Sequence, residues 1–277
     1  MLIALFAKLV ATAAVVIGVS LAVGRLGPRL GGIIAGTPII LGPGYFFMLQ
    51  EQSPAFIQTA ALSTLHALVA TLLFTISFVV TAGRLSALAS LGIATLCWMP
   101  AALLFARVPG GVGVAVLMYL AMLLVAEGVR RALRLRQPVI VARSGWFDLL
   151  LRGLLAGLLV SVATTLAVTS GPLLSGMLVG FPVGLFTIGL TLHERYGPDV
   201  ARATVSMAQK GMLSLVAFGV VTATLVGHLP PMAVFLLSLL ASMSVSATLF
   251  MISQRQFRRA HASRYGAVDR RHGTRQR

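Results

Sequence analysis

Acidic side chains are nearly absent from this chain: there are six Asp and Glu in 277 residues. All charged residues together make up 10% of the sequence, against 58% hydrophobic, and the mean hydropathy is +0.96. A soluble domain carries about 25% charged residues, so the charge available here is too little to cover a water-facing surface. No Asp or Glu lies near the middle of any apolar run, and carboxylate-based sodium or proton coupling is therefore not indicated. The one cysteine, Cys97, sits inside an apolar run, so an intrachain disulfide and a redox motif are both excluded. Met1 to Val23 has the apolar length of a signal peptide but no basic start and no clear small-residue cleavage site. It reads as a first, retained helix.

Motifs of chemistry are missing as well. His193-Glu194-Arg195 has no second histidine at helical spacing and is no metal motif. Pro109-Gly110-Gly111 lacks the Lys-Ser/Thr ending of a phosphate loop. No nucleophile–base pair suggests an enzyme, and nothing calls for a cofactor.

What the sequence does have is long apolar runs. A bilayer core of ~30 Å needs ~20 apolar residues per helix, and the runs are continuous, unlike the alternation of a membrane barrel. The expected fold is all-α and membrane-integral, with about nine spans. These run near Ile3–Val23, Gly31–Leu49, Phe56–Ala82, Leu85–Ala106, Val112–Val129, Leu149–Val168, Leu173–Leu192, Ala203–Val226 and Met232–Ile252. Turn punctuation separates them, as at Ser53-Pro54, Gly197-Pro198 and Pro230-Pro231.

Lys and Arg are retained on the cytoplasmic side of short loops. The segment between spans five and six holds Arg130, Arg131, Arg134, Arg136, Arg143 and Arg152 and is expected inside. Alternation then puts 19 of the 22 basic residues inside and only Lys8 and Arg107 outside, with Lys210 left within a span. The resulting topology has a periplasmic N-terminus and a cytoplasmic C-terminus in a bacterial inner membrane. Eight of the basic residues fall between Arg255 and Arg277, a tail suited to anionic lipid headgroups rather than to nucleic acid. Trp146 belongs at the membrane boundary, where indoles anchor helices. Trp98, beside Pro100, is expected either to pack at a bent helix or to touch a solute.

Shifting the sequence by 144 residues superposes one half on the other without a gap. Gly27-Pro28 falls on Gly171-Pro172, Gly32 on Gly176, Gly36 on Gly180, Pro38 on Pro182, Pro54 on Pro198 and Gly83 on Gly227. The divisions are then a first repeat at 1–130 that includes the extra span five, a basic linker at 131–148, a second repeat at 149–252 and a tail at 253–277. With an odd number of crossings between equivalent helices, the repeats run antiparallel across the membrane. Inverted repeats recur in transporters, which bind substrate near the midplane where the repeats meet. The inference from repeat to transport is one of architecture.

The repeated motif offers two readings. Glycines four apart, Gly32 and Gly36 or Gly176 and Gly180, form flat stripes that let helices approach closely. The prolines displace a backbone carbonyl, that of Ile34 for Pro38 and that of Leu178 for Pro182. A helix broken there would aim N-terminal amides at an anion, which marks Gly36, Thr37, Pro38, Gly180, Phe181 and Pro182 as candidate site residues. Span two also carries Gly42-Pro43-Gly44, so its outer half is not expected to be a regular helix. His66 and Lys210 occupy equivalent positions in the repeat and lie ~15 Å along their helices at ~1.5 Å per residue, near mid-membrane. Lys210 reads either as an anion's partner or as a lysine snorkelling to the surface. His66 reads either as a hydrogen-bonded core histidine or, since histidine titrates near neutral pH, as a proton-coupling group. Glu51, Glu194 and Asp199, near span ends, are expected to be solvated caps.

The stretch Gly31–Leu49, a glycine-rich helix breaking at Pro38 before a Gln-Glu-Gln loop, resembles small bacterial inner-membrane proteins of the GlpM type. Those proteins look like one copy of the unit found twice here, and the likeness covers mainly Gly31–Pro54 and Gly176–Pro198. The resemblance implies a role in the cell envelope, where that family is linked to polysaccharide production, and carries over no site residues. This chain departs from the pattern in its fusion, its extra span and its basic tail. Two functions follow: a secondary transporter of a small anionic or polar solute, or an accessory partner in an envelope-biosynthesis assembly, as a monomer or a homo-oligomer.

Overall fold

The computed structural model is helical throughout the residues it describes, whose backbone covers 2–25, 38–135 and 145–273. Helix α1 is Leu2–Arg25 and α2 is Leu41–Glu51. The outer half of span two is thus a regular helix, contrary to expectation. Pro43 sits in the first turn of α2, where the missing N–H has no intrahelical acceptor in any case. Helix α3, Pro54–Thr81, starts with Pro54 at its first position and Ser53 capping the Phe56 N–H at 3.3 Å. Helix α4, Ala87–Phe105, is capped in the same way by Ser86 on Ala89, also at 3.3 Å. After a turn at Gly110, whose φ of 126° suits glycine, α5 runs Gly111–Ala132.

Helix α6, Trp146–Thr165, leads into α7, Ala167–Val179, which is interrupted at Gly171 (φ 77°, ψ 171°). That non-helical glycine is followed by Pro172, which opens a fresh helical turn as proline does best. Helix α8 is Val183–Tyr196, α9 Pro198–Gly211, α10 Leu213–Leu225 and α11 Pro231–Gly273. The boundary expected at 253 is therefore continuous helix.

Among the described residues seven helices are long and apolar enough to cross a membrane, α9 and α10 counting together as Pro198–Leu225. Thr169–Val179 and Val183–Tyr196 pass the same test as a pair bent by 41°. A multi-pass α-helical membrane protein is the result. The remaining expected span combines α2 with residues before Pro38, and of these Gly36 and Thr37 lie outside the described residues.

Helix α3 is the hub. It packs against α4, α5, α7, α9 and α10, and 72% of its most apolar window is buried within the protein. Around it α1 packs on α6 and α10 on α11. Small residues set the closest approaches. A Cβ on Gly176 would collide with the Ala60 carbonyl, and one on Gly180 would lie 2.8 Å from the Ala67 Cβ. The second glycine stripe therefore packs on α3, the close-approach role of such stripes.

Connections sort to two ends. At one, Lys8 meets Glu51, and Gln52, Pro54, His228 and Pro230 border a shallow hollow of about 270 Å³. At the other, His193 Nε2 bonds the Ala82 carbonyl at 3.0 Å and Arg202 donates to the Val79 carbonyl at 2.7 Å. Helix starts also fall into pairs 144 positions apart: Leu2 with Trp146, Pro54 with Pro198, and Ala87 with Pro231.

Candidate functional site

A buried polar seam follows α3 through an otherwise apolar interior. Buried hydroxyls must be bonded or incur a desolvation cost, and their partners show which elements they join. Thr64 donates to the Gly176 carbonyl at 2.8 Å, so the Tyr45 hydroxyl, 2.7 Å away, donates to Thr64. Ser63 donates to the Leu173 carbonyl at 2.7 Å. Trp98 Nε1 donates to Thr71 at 3.1 Å, and its ring meets Phe181 edge-on at 5.0 Å between centroids. Gln209 Nε2 donates to Thr75 at 2.8 Å, while its own backbone carbonyl accepts from Tyr119 at 3.0 Å. Helices α2, α4, α5, α7 and α9 are thereby all tied to the hub.

The break at Gly180-Phe181-Pro182 adjoins this seam through Phe181. The carbonyl that Pro182 displaces is not orphaned: Leu178 O accepts from the Phe181 N–H at 3.1 Å. Past the break, α8 begins after Pro182 with no side-chain cap, and α2 begins shortly after Pro38 with none either. Backbone carbonyls take part of each first turn, Pro38 O from the Gly42 N–H at 2.6 Å and Phe181 O from the Val183 N–H at 2.8 Å, and both helix starts fall inside the chain's apolar stretches.

His66 and Lys210 are not brought together. His66 is buried (1% exposed), its ring bonds the backbone of Leu62, and its Nε2 has no hydrogen-bond partner among the described residues. Lys210 does not turn inward. Its side chain is 62% exposed, and the ammonium lies 3.5 Å from Glu127 on α5. Glu127 also pairs with Arg130 at 2.6 Å and Arg131 at 2.9 Å. The arrangement is that of a long side chain reaching an interfacial charge cluster; its neighbour Gln209 takes the interior.

Two ionic clasps were not foreseen. Lys8 on α1 is buried and bonds Glu51 of α2 at 2.6 Å, with the Phe47 ring 5.6 Å away. Glu51 is thus an ion-pair partner rather than a solvated cap. At the opposite end Asp148 of α6 is buried, accepts from the Gly145 N–H at 2.8 Å and Thr191 at 3.0 Å, and pairs with Arg195 at 3.3 Å. Arg152 on α6 donates through Nε to Thr187 of α8 at 3.2 Å. The hint in the sequence was the register: Lys8 corresponds to Arg152 and Glu51 to Arg195. No family model, curated protein or solved structure matches the chain.

Proposed function

We propose that this protein is a secondary transporter of a small anionic or polar solute, built from nine spans as two inverted repeats, with its N-terminus periplasmic and its C-terminus in the cytoplasm of a bacterial cell. The carrying observation is that α2 and α8, equivalent under the 144-residue shift, each begin after a proline within a long apolar stretch and with no side-chain cap. Non-helical backbone at membrane depth is tolerated where it is packed in protein or lines a cavity, and transporters use such half-helix ends to meet anions. The repeat reading gains support from one contact made twice. Gln209 bonds Thr75, and at the equivalent positions a Cβ on Gly219 would touch Leu65 at 2.9 Å. The orientation is supported by the grouping of Arg84, Arg134, Arg195 and Arg202 at one end, where cytoplasmic retention of basic loops would put them.

In this reading the solute passes beside the breaks, with His66 Nε2, one of several buried polar atoms without a partner among the described residues, as the group that meets it. Lys210 stands aside, at the cytoplasmic flank with Glu127. Two measurements test the proposal. A periplasm-active reporter fused after Gln52 is expected to be active and one after Gln254 inactive; equal activity at both removes the inverted arrangement. Purified protein in liposomes is then assayed for uptake of phosphate, sulfate and small carboxylates. Uptake above empty liposomes that His66→Gln lowers about tenfold, at normal protein yield, is the expected result. No uptake of any of these anions would instead favour the accessory role in envelope biosynthesis.

A further inference from the structure

The two ionic clasps are equivalent in position but not in charge. At the Lys8 end one ammonium faces one carboxylate, Glu51. At the other end the position of Glu51 is occupied by Arg195, and Asp148 enters from one turn before Arg152 on α6. One carboxylate therefore stands near two guanidinium groups and pairs directly with Arg195, which leaves one positive charge in excess. Asp148 is moreover already engaged, by the Gly145 N–H, the Thr191 hydroxyl and Arg195. Among the described residues Arg152, half-buried, has no ion-pair partner and uses a single N–H, on Thr187. A guanidinium has five donors in a planar fork matched to oxyanions. A half-buried cation with most donors unused and no carboxylate of its own is out of keeping with the cost of burying charge, unless something else supplies the negative charge.

We infer that Arg152 and Arg195 form a binding site for a phosphate-type oxyanion at the Arg-rich end of the protein, with Thr187, whose own O–H donates to its helix backbone, steadying Arg152. The fork of Arg152 would take two anion oxygens side by side, and Arg195, 45% exposed in its side chain, closes the site from the solvent side. Asp148 holds Arg195 in place without neutralising both cations. The anion is either free phosphate or the phosphodiester of a lipid headgroup. The inference rests on the charge count and the repeat register, not on transport, so a protein that moves no solute could still bind here.

The experiment is thermal unfolding of the full-length protein in lipid nanodiscs, in two arms. In the first, the discs are phosphatidylcholine and inorganic phosphate is titrated against chloride at constant ionic strength. In the second, phosphatidylglycerol replaces part of the phosphatidylcholine and no phosphate is added. A ligand that binds only the native state raises Tm in proportion to its occupancy. A saturable rise in the first arm identifies free oxyanion, and a rise in the second alone identifies the headgroup. In either case Arg152→Gln is expected to weaken the response about tenfold or more, while Arg131→Gln, at the exposed Glu127 cluster, leaves it intact. Arg195→Gln leaves one guanidinium to one carboxylate, as Lys8 has Glu51, and is expected to abolish the response with the fold preserved, since Asp148 keeps the Gly145 N–H and the Thr191 hydroxyl; it decides the matter should Arg152→Gln not fold. Absence of a rise in both arms, or an equal loss with Arg131→Gln, overturns the inference.

Discussion

Helix α3 and its counterpart, α9 with α10, start at equivalent prolines and span 28 residues each, yet one is continuous and the other is interrupted near Met212. The local cause is legible. Gly211 stands where α3 has Ala67, and glycine inside a helix costs ~0.5–1 kcal/mol relative to alanine. Their surroundings differ in the same sense. Ala67 is fully buried at the place where Gly180 comes closest, whereas a Cβ on Gly211 would meet nothing within 4 Å. The buried helix carries His66 inward, and the interrupted one carries Lys210 outward to Glu127. Two helices 144 positions apart thus differ in packing: one is the hub, the other a flank.

The largest effect is expected where the hub is touched. Gly176→Ala would drive a methyl into the Ala60 backbone, which cannot swing aside as a side chain could. Overpacking of this kind costs ~1–3 kcal/mol, and the variant's unfolding temperature in detergent should fall by several degrees. Gly184→Ala, on α8 with open space around its Cβ, should unfold with the wild type. Equal losses would mean that the stripe does not set the spacing between α3 and α7.

The clasps sharpen the comparison next. Glu51→Gln leaves the buried Lys8 ammonium without a carboxylate and is expected to cost ~1–3 kcal/mol. Arg195→Gln removes a partner from Asp148, but the Gly145 N–H and Thr191 hydroxyl remain, so its cost should stay below about 1 kcal/mol. Chemical unfolding of the two variants side by side checks the order. A reversed order would show that the Asp148 end, not the Lys8 end, relies on its ion pair.

How far the sequence could be read divides along the same line. Hydropathy reports which stretches form long apolar helices, and among the described residues seven such helices are found where nine spans were expected. Azimuth was another matter. Gln209 and Lys210 lie at the same depth, and a step of one residue turns ~100° around a helix of 3.6 residues per turn. Which of the two faces inward depends on neighbours such as Thr75 and Tyr119, from distant parts of the chain. The ion pairs were hidden for the same reason, since Lys8 and Glu51 are 43 positions apart. Pro43 was misjudged on local grounds: a proline in a helix's first turn is a start signal, not a break.

A smaller, opposite effect is expected of Gly211→Ala. With no contact to disturb and φ outside the left-handed region, alanine should stabilise the protein by ~0.5–1 kcal/mol, seen as a modest rise in unfolding temperature. If the interruption near Met212 serves a movement of the second half, the same change should slow uptake in liposomes while raising stability. A rise in stability without any change in rate would make the interruption a passive consequence of the glycine.

The smallest effect belongs to Lys210→Gln. Its ammonium is 3.5 Å from a carboxylate that two arginines also hold, and its side chain is 62% exposed. Exposed ion pairs contribute ~0–1 kcal/mol, and Glu127 loses little when the most distant of three cations goes. Stability should therefore shift by less than about 0.5 kcal/mol, within that range. The matching change on the hub, His66→Leu, removes a buried ring nitrogen that has no partner. Such a replacement is commonly neutral or stabilising in the folded state. The two equivalent positions are then distinguished by function alone. If the solute passes beside α3, His66→Leu abolishes uptake in a protein at least as stable as the wild type, and Lys210→Gln leaves uptake within about twofold, the change that ~0.4 kcal/mol would produce. Should Lys210→Gln abolish uptake and His66→Leu not, the working member of the pair is the outward-facing one, and the route runs along α5 and α9 instead.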